Sequence, residues 1–118
     1  MKKLILSLSI FAMSAVGLFA NDKPEFPGGE TALQKFLAEN IRYPEISKEN
    51  GVEGIVEVGF LVEVNGSLKD IKVLKYVDPD LEKEALRVVS MMPAWIPAEE
   101  DGNPVEAPAQ VGVPFLLD

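Results

Sequence analysis

The stretch VEVGFLVEVNGSLKDIKVLK, residues 56–75, decides the fold of this chain. In its first half, apolar side chains occupy every second position, a pattern typical of a half-buried strand. These positions are Val56, Val58, Phe60, Val62 and Val64. The second half, from Leu68 to Lys75, carries Ile71 and Val73 and predicts a second strand.

Between the two strands lies Asn65-Gly66, the strongest short hairpin signal that a sequence can carry. A turn centred on this pair places Phe60 opposite Ile71 and Val58 opposite Val73. Because these pairs join apolar residues, the turn and the apolar pattern agree on one register. We therefore expect an antiparallel hairpin with one buried face.

Helical patterns lie on both sides of the hairpin. Residues 30–40 carry apolar side chains at helical spacing, and Tyr43-Pro44 ends that helix because the residue before a proline avoids the α region. One further helical turn is expected from Pro44 to Asn50, closed by Gly51. A second helix opens with Asp78 as its N-cap and Pro79 at its first position.

The rest of the chain predicts a loop and a final strand. The loop contains Trp95, Pro97 and an acidic run at residues 99–101, and the strand alternates apolar residues over 111–117. The resulting fold class is α+β, a small two-layer sandwich with two helices on one face of a three-stranded antiparallel sheet. A crossover that skips the hairpin partner gives the strand order 2-1-3 and leaves the third strand as an open edge.

The N-terminal segment is typical of an exported protein. Residues 1–20 combine two lysines with an uncharged apolar run, which predicts a signal peptide, or alternatively an uncleaved N-terminal anchor. Residues 21–28 are interpreted as a short linker and residues 29–118 as the folded domain. In either case the domain lies outside the cytoplasm.

Composition argues against several classes of function. The chain has no cysteine and no histidine, so the commonest nucleophile, general base and transition-metal ligands are missing, and no enzyme activity is expected. The acids Asp78, Asp80 and Glu82 suit the start of a helix, so neither a metal nor a cofactor is expected. The formal net charge of −8 disfavours nucleic acid as a partner.

Several short motifs follow one another along the chain. They are Phe26-Pro27-Gly28-Gly29-Glu30, Tyr43-Pro44, Gly51-Val52-Glu53-Gly54, Asn65-Gly66, Trp95-Ile96-Pro97-Ala98 and Val113-Pro114-Phe115. Together they resemble the C-terminal domain of TonB-type energy transducers. The resemblance implies a periplasmic domain that binds the N-terminal segment of TonB-dependent outer-membrane transporters. The bound segment would add as a strand to the edge of the last strand.

The resemblance assigns the residues of that edge. The expected partner-binding residues are Gln110, Val111, Gly112, Val113, Pro114, Phe115 and Leu116. Because proline cannot donate to a ladder, Pro114 is expected to turn its nitrogen outward. Structural roles are expected for Tyr43, Pro44, Gly54, Asn65, Gly66, Trp95 and Pro97.

One departure from the family pattern concerns force transmission. Transducers of this kind carry a long proline-rich spacer after a membrane anchor, whereas residues 21–28 span at most about 30 Å when extended. Inner-membrane motor proteins are therefore expected partners only if the N-terminus remains an anchor, which would place the protein in the inner membrane. The alternative function is a self-associating scaffold domain of the envelope, a homodimer formed through the same sheet edges.

Overall fold

A computed structural model describes residues 22–118 of the chain. Its helices are α1 (Gly29–Asn40), α2 (Glu45–Glu49) and α3 (Pro79–Ser90). Its strands are β1 (Gly54–Val62), β2 (Leu68–Lys75), β3 (Ala98–Glu100), β4 (Asn103–Val105) and β5 (Ala107–Phe115). The predicted signal peptide or anchor lies outside the described residues. Within residues 22–118, no helix is both long and apolar enough to cross a membrane.

The three long strands form one antiparallel sheet in the order β2-β1-β5, as predicted. The inward side chains of β1 and β5 are buried, and they pack against the buried faces of α1 and α3. The core side chains that these helices and strands contribute are Leu33, Leu37, Val56, Val58, Phe60, Val62, Leu81, Ala85, Val88, Val89, Val111, Val113 and Phe115. The α+β two-layer architecture is therefore confirmed.

The hairpin between β1 and β2 is partly as predicted. Val58 faces Val73, but the register shifts between Gly59 and Leu61, so Phe60 does not pair with Ile71 as expected. The physical reason is a β-bulge, in which Asp70 adopts a positive φ of 54° and adds one residue to β2. Ile71 and Val73 of β2 still pack against the core, whereas Leu74 is exposed.

The connection of this hairpin is longer than the predicted two-residue turn. The amide of Glu63 donates to the carbonyl of Ser67 at 2.8 Å, and the amide of Gly66 donates to the carbonyl of Glu63 at 2.8 Å. Residues 64–66 therefore form a three-residue loop with Gly66 in the left-handed region. Val64 lies in this loop and is exposed, so its assignment to the first strand was wrong.

The helices begin and end where local chemistry requires. Asp78 caps α3, with its carboxylate accepting from the amides of Asp80 at 3.0 Å and Leu81 at 3.1 Å. Pro79 occupies the first turn, as expected. The further turn predicted after Pro44 is α2.

The segment predicted as a loop contains a second hairpin. The strands β3 and β4 pair around Asp101 and Gly102, which both have positive φ. This is the geometry that Asp-Gly favours in tight turns. The last strand also starts earlier than expected, at Ala107, and ends at Phe115, so Leu117 lies outside it.

The chain before α1 is part of the folded structure. Glu25 forms a β-bridge with Ile96, through two backbone hydrogen bonds of 2.9 and 2.8 Å. Phe26 is buried against the core. Ordered packing therefore begins at Glu25, four residues before the Gly29 boundary proposed for the domain.

Candidate functional site

The edge of β5 is the surface where the predicted partner-binding residues lie. β5 pairs with β1 on one side, and among residues 22–118 no strand pairs with its other side. Along this edge the inward residues Val111, Val113 and Phe115 are buried, whereas Leu116 is 66% exposed. The structure thus brings residues 110–116 together on one free strand and on the segment that leaves it.

The composition of this edge is unusual for an exposed strand. Residues 107–116 contain no charged side chain. Exposed sheet edges are normally protected by lysines, bulges or covering elements, because their free backbone groups pair readily with other chains. Only the prolines Pro108 and Pro114 interrupt this edge.

The opposite edge of the sheet, β2, has the usual protection. It carries Lys69, Lys72 and Lys75 together with the bulge at Asp70. Lys69 lies 3.1 Å from a carboxylate oxygen of Glu106, and the hydrogen bond between them raises the pKa of Lys69. A partner strand therefore meets charge and irregular backbone at β2, but neither at β5.

The two prolines of β5 lie an even number of positions apart, so their backbone nitrogens face the same side of the strand. Pro108 lies opposite Leu61 and Pro114 lies opposite Ile55 in an unbroken register. Since a proline has no N–H, this placement keeps the ladder with β1 complete only if the nitrogens of both prolines face the open edge. On that edge, the amides of Gln110 and Gly112 would then be the free donors between them.

Tyr43 supports the end of β5. Its ring packs edge-on against Phe115, with centroids 5.7 Å apart, and its hydroxyl donates to the carbonyl of Val52. Burial, together with the nearby carboxylates of Glu53 and Asp78, raises the pKa of this hydroxyl. Tyr43 therefore remains a neutral donor at physiological pH.

Trp95 supports the beginning of β5. It is 6% exposed and makes edge-on contacts with Phe60 at 5.1 Å and Phe26 at 5.9 Å between ring centroids. Its amide donates to the carbonyl of Gly66 at 2.9 Å, which ties it to the hairpin loop. This placement is that of a core residue, the role that the sequence favoured for it.

The remaining residues with expected structural roles lie away from the edge. Pro44 immediately precedes α2, and Gly54 lies against the side chain of Val77. Asn65 accepts from the amide of Ser67 at 2.9 Å within the hairpin loop. Pro97 is half-buried beside β3.

Two depressions lie on the helix side of the open edge, and α1 contributes to both. The first, here called the acidic groove, has a volume of 620 Å³. It is bounded by residues 22–26, the start of α1, Trp95 and residues 107–110 of β5. The second, here called the apolar notch, has a volume of 280 Å³. Its walls are Gln34, Leu37, Ala38, Ile41, Tyr43, Pro114 and Leu116.

Sequence reasoning missed the acidic groove. Asp22, Glu25 and Glu30 line it close to β5, although they lie about 80 residues earlier in the chain. The bridge between Glu25 and Ile96 brings the two segments together. An isolated β-bridge of this kind leaves no periodic signal in a sequence.

Within residues 22–118, no group of three or more His, Cys, Asp or Glu side chains is arranged to hold a metal ion. Asp78, one of the acids at the start of α3, caps this helix and also accepts a hydrogen bond from the hydroxyl of Ser47 at 3.2 Å. The arrangement at β5 is suited to backbone pairing with an extended chain.

Comparison with known proteins agrees with this geometry. The fold defines a small α+β domain in which, among residues 22–118, the outer edge of β5 is unpaired and uncharged. The chain belongs to the family of Gram-negative bacterial TonB protein C-terminal domains, whose model matches residues 39–117. The family resemblance noted in the sequence is thus confirmed.

Individual relatives point to the same family. Protein TonB of Helicobacter pylori strain 26695 is 33% identical over 70 residues, which cover 58% of this chain and 25% of the relative. Protein TonB of strain J99 is 36% identical over 53 residues, covering 45% of this chain and 19% of the relative. The match thus spans a quarter or less of these curated relatives.

Solved structures support the fold. A solution NMR structure of the Helicobacter pylori TonB C-terminal domain matches with a TM-score of 0.57 and 23% identity, covering 93% of this chain and 98% of that one. A shorter form of the same domain matches with a TM-score of 0.54 and 23% identity, covering 72% of this chain and 89% of that one. At this level of identity the likeness concerns the fold alone.

Proposed function

We propose that this domain is a non-enzymatic, periplasmic binding module for the N-terminal segments of TonB-dependent outer-membrane transporters, acting in energy-coupled transport. The segment adds as a strand to the open edge of β5, at residues 110–116. The observation that carries the proposal is the uncharged, unpaired edge of β5 in a domain of the TonB C-terminal family. In strand addition, main-chain hydrogen bonds supply affinity and side-chain contacts fix the register.

The proposal is tested by nuclear magnetic resonance on residues 21–118. This part of the chain contains the hydrophobic core that the structure describes, which runs from Phe26 to Phe115, and it is expected to fold alone. Nitrogen-15 amide shifts are followed while transporter N-terminal peptides are added. Shifts concentrated at residues 110–116 support the proposal, and a folded sample that shows no shifts there with any peptide contradicts it.

A pair of variants at Gly112 separates edge pairing from a change in packing. A Cβ at this position would lie 3.0 Å from Ile55 and 3.2 Å from a carboxylate oxygen of Glu57, so Gly112→Ala and Gly112→Pro crowd the same neighbours. Only Gly112→Pro also removes the amide that we expect to face the partner. We expect Gly112→Ala to bind peptide and Gly112→Pro to lose most of its affinity. Equal binding by two folded variants would show that the partner does not use this amide.

Self-association is the second candidate, and the same uncharged edge favours it. Two copies that paired edge to edge through β5 would form a symmetric dimer. Sedimentation velocity at several protein concentrations distinguishes the two functions. A monomer at every concentration rules out the scaffold role. A dimer that dissociates when peptide is added shows that dimer formation and peptide binding use the same edge.

A further inference from the structure

The two depressions beside β5 place a chemical requirement on any strand that pairs with this edge. Both lie on the helix side of β5, because α1 forms part of each. The acidic groove adjoins residues 107–110 and the apolar notch adjoins Pro114 and Leu116. A strand added to β5 would pass the groove at one end and the notch at the other.

The charge of the acidic groove favours a cationic side chain. Its wall contains the carboxylates of Asp22, Glu25 and Glu30 and the ammonium group of Lys23, three acids and one base, so its formal charge is −2. Among residues 22–118, none of these three carboxylates takes part in a salt bridge. A Lys or Arg side chain entering the groove would provide the missing counter-charge.

A buried donor in the same groove also lacks an acceptor. Trp95 forms part of the wall and is 6% exposed, and its indole N–H has no hydrogen-bond partner within the described residues. A buried donor without an acceptor is costly, and native structures seldom leave one unpaired. Because the indole nitrogen is covered by the protein in this structure, a carbonyl group of an inserted chain would reach it only after the ring rotates towards the groove.

The apolar notch at the other end has a different character. Leu37, Ile41 and Leu116 contribute to its wall, with Tyr43 and Pro114 beside them, and no ionisable carboxylate or ammonium group lines it. An apolar side chain placed there would lose contact with water and gain contact with these residues. A charged side chain at the same place would lose hydration without a counter-charge.

The positions of the groove and the notch along β5 fix the spacing between the cationic and the apolar side chain of a partner strand. Ala109 lines the groove. Six positions further on, and on the same helix-facing side of the strand, Phe115 lies between the notch residues Pro114 and Leu116 and packs against the notch residue Tyr43. Because strands rise by about 3.3 Å per residue and side chains alternate between faces, a partner needs the same even spacing. We propose that the domain selects extended segments carrying a Lys or Arg and, about six positions away, an apolar side chain, both directed towards α1. This specificity rests on the strand addition proposed above.

The test uses residues 21–118 and ten-residue peptides of Thr and Val that carry one Lys and one Leu six positions apart, in either order. Trp95 is the single tryptophan of the chain and lines the groove, so its fluorescence reports binding. We expect one of the two orders to bind and a Lys→Glu peptide to bind at least tenfold more weakly at low salt. Moving Leu to a spacing of five would direct it to the other face and should also weaken binding.

Matched variants of the protein assign the charge effect to the groove. The variant Glu25→Gln/Glu30→Gln removes two carboxylates from the groove, and Glu39→Gln/Glu49→Gln removes two exposed carboxylates elsewhere. We expect the Glu25→Gln/Glu30→Gln variant to bind the Lys peptide about three- to tenfold more weakly, a modest loss because each exposed ion pair contributes little. The Glu39→Gln/Glu49→Gln variant should bind this peptide with unchanged affinity. This difference should vanish in about 0.5 M salt.

The outcomes separate this inference from the proposed function. If peptides with Lys and Glu shift the amides of residues 110–116 equally, strand addition stands and the specificity is wrong. The specificity is also wrong if the Glu25→Gln/Glu30→Gln variant binds the Lys peptide as tightly as the unmodified protein does. If no peptide shifts those amides, both proposals are wrong.

Discussion

At the scale of single residues, Gly66 makes the closest approach in the hairpin loop. Its φ of 90° lies in the left-handed region, and an added Cβ would stand 2.4 Å from the carbonyl oxygen of Trp95. A Gly66→Ala variant must therefore both adopt an unfavourable backbone conformation and push Trp95 away from the core. We expect a loss of about 2–4 kcal/mol in the free energy of unfolding, measured by urea denaturation.

Gly102 provides a matched control for this substitution. Its φ of 81° is similar, but no heavy atom lies within 4 Å of its added Cβ. Gly102→Ala should therefore cost only the backbone term, about 1–2 kcal/mol. Equal losses for the two variants would mean that the added methyl group at Gly66 fits beside Trp95 without displacing it.

At the scale of elements, a part-buried ion pair within α3, between Glu84 and Arg87, hydrogen-bonds to the backbone at the end of α1. The carboxylate of Glu84 accepts from Arg87 Nε at 2.7 Å and from the amide of Arg42 at 2.6 Å. Arg87 also donates to the carbonyl of Asn40 at 2.8 Å, one of the last carbonyls of α1. These contacts hold α1 in position beside β5, where it forms part of the groove and the notch.

The pKa of Glu84 makes this connection sensitive to acid. Burial raises this pKa, but the hydrogen bonds from Arg87 and from the amide of Arg42 outweigh that effect and lower it. A lowered pKa in the folded state adds stability above the unfolded value of about 4.3, and that stability is lost as the pH falls through the folded pKa.

We therefore expect Glu84→Gln to lower the free energy of unfolding by about 1–3 kcal/mol at pH 7, because it removes a charge-assisted pair. The difference from the unmodified protein should shrink as the pH falls below about 4.3, because Glu84 itself becomes neutral there. Urea denaturation at pH 7 and pH 3 measures both values. A difference that stays constant between the two would contradict the role assigned to the charge.

The long elements of this fold were predicted from the sequence better than the short ones. The alternation over residues 56–62 and the cap at Asp78 were sufficient to predict β1 and α3, because burial repeats along each of them. The bulge at Asp70 was not predicted, since one residue with positive φ interrupts no hydrophobic pattern. The strands β3 and β4 have three residues each, too few to show alternation, although Asp101-Gly102 carried the turn signal.

The candidate site was likewise predicted only in part. The open edge of β5 followed from strand order alone, because a third strand beside β1 leaves one side free. Its two depressions could not be predicted, since they depend on where residues 22–26 and α1 pack against residues far along the chain. A sequence without an alignment carries no local sign of such contacts.

At the scale of the whole molecule, an open edge and a large net charge have opposite effects on association between copies of the chain. Residues 21–118 carry 9 of the 11 basic residues and all 19 acidic residues, because Lys2 and Lys3 precede them, so their formal net charge is 9 − 19 = −10. Uncharged edges favour pairing between copies, whereas like charge keeps copies apart. We therefore expect a net charge of this size to compensate for the missing protection of β5.

Salt should therefore decide whether copies associate. At low ionic strength the repulsion between copies acts over tens of ångströms, but at 0.5 M salt it is screened within a few ångströms. We expect residues 21–118 to sediment as a monomer in 10 mM salt and to associate weakly, at submillimolar concentration, in 0.5 M salt. The Gly112→Pro variant, which removes an amide from the edge, should remain a monomer under both conditions, with Gly112→Ala as its control. Association of the Gly112→Pro variant at high salt would place the self-contact elsewhere, and a dimer of the unmodified protein at low salt would show that net charge does not protect the edge.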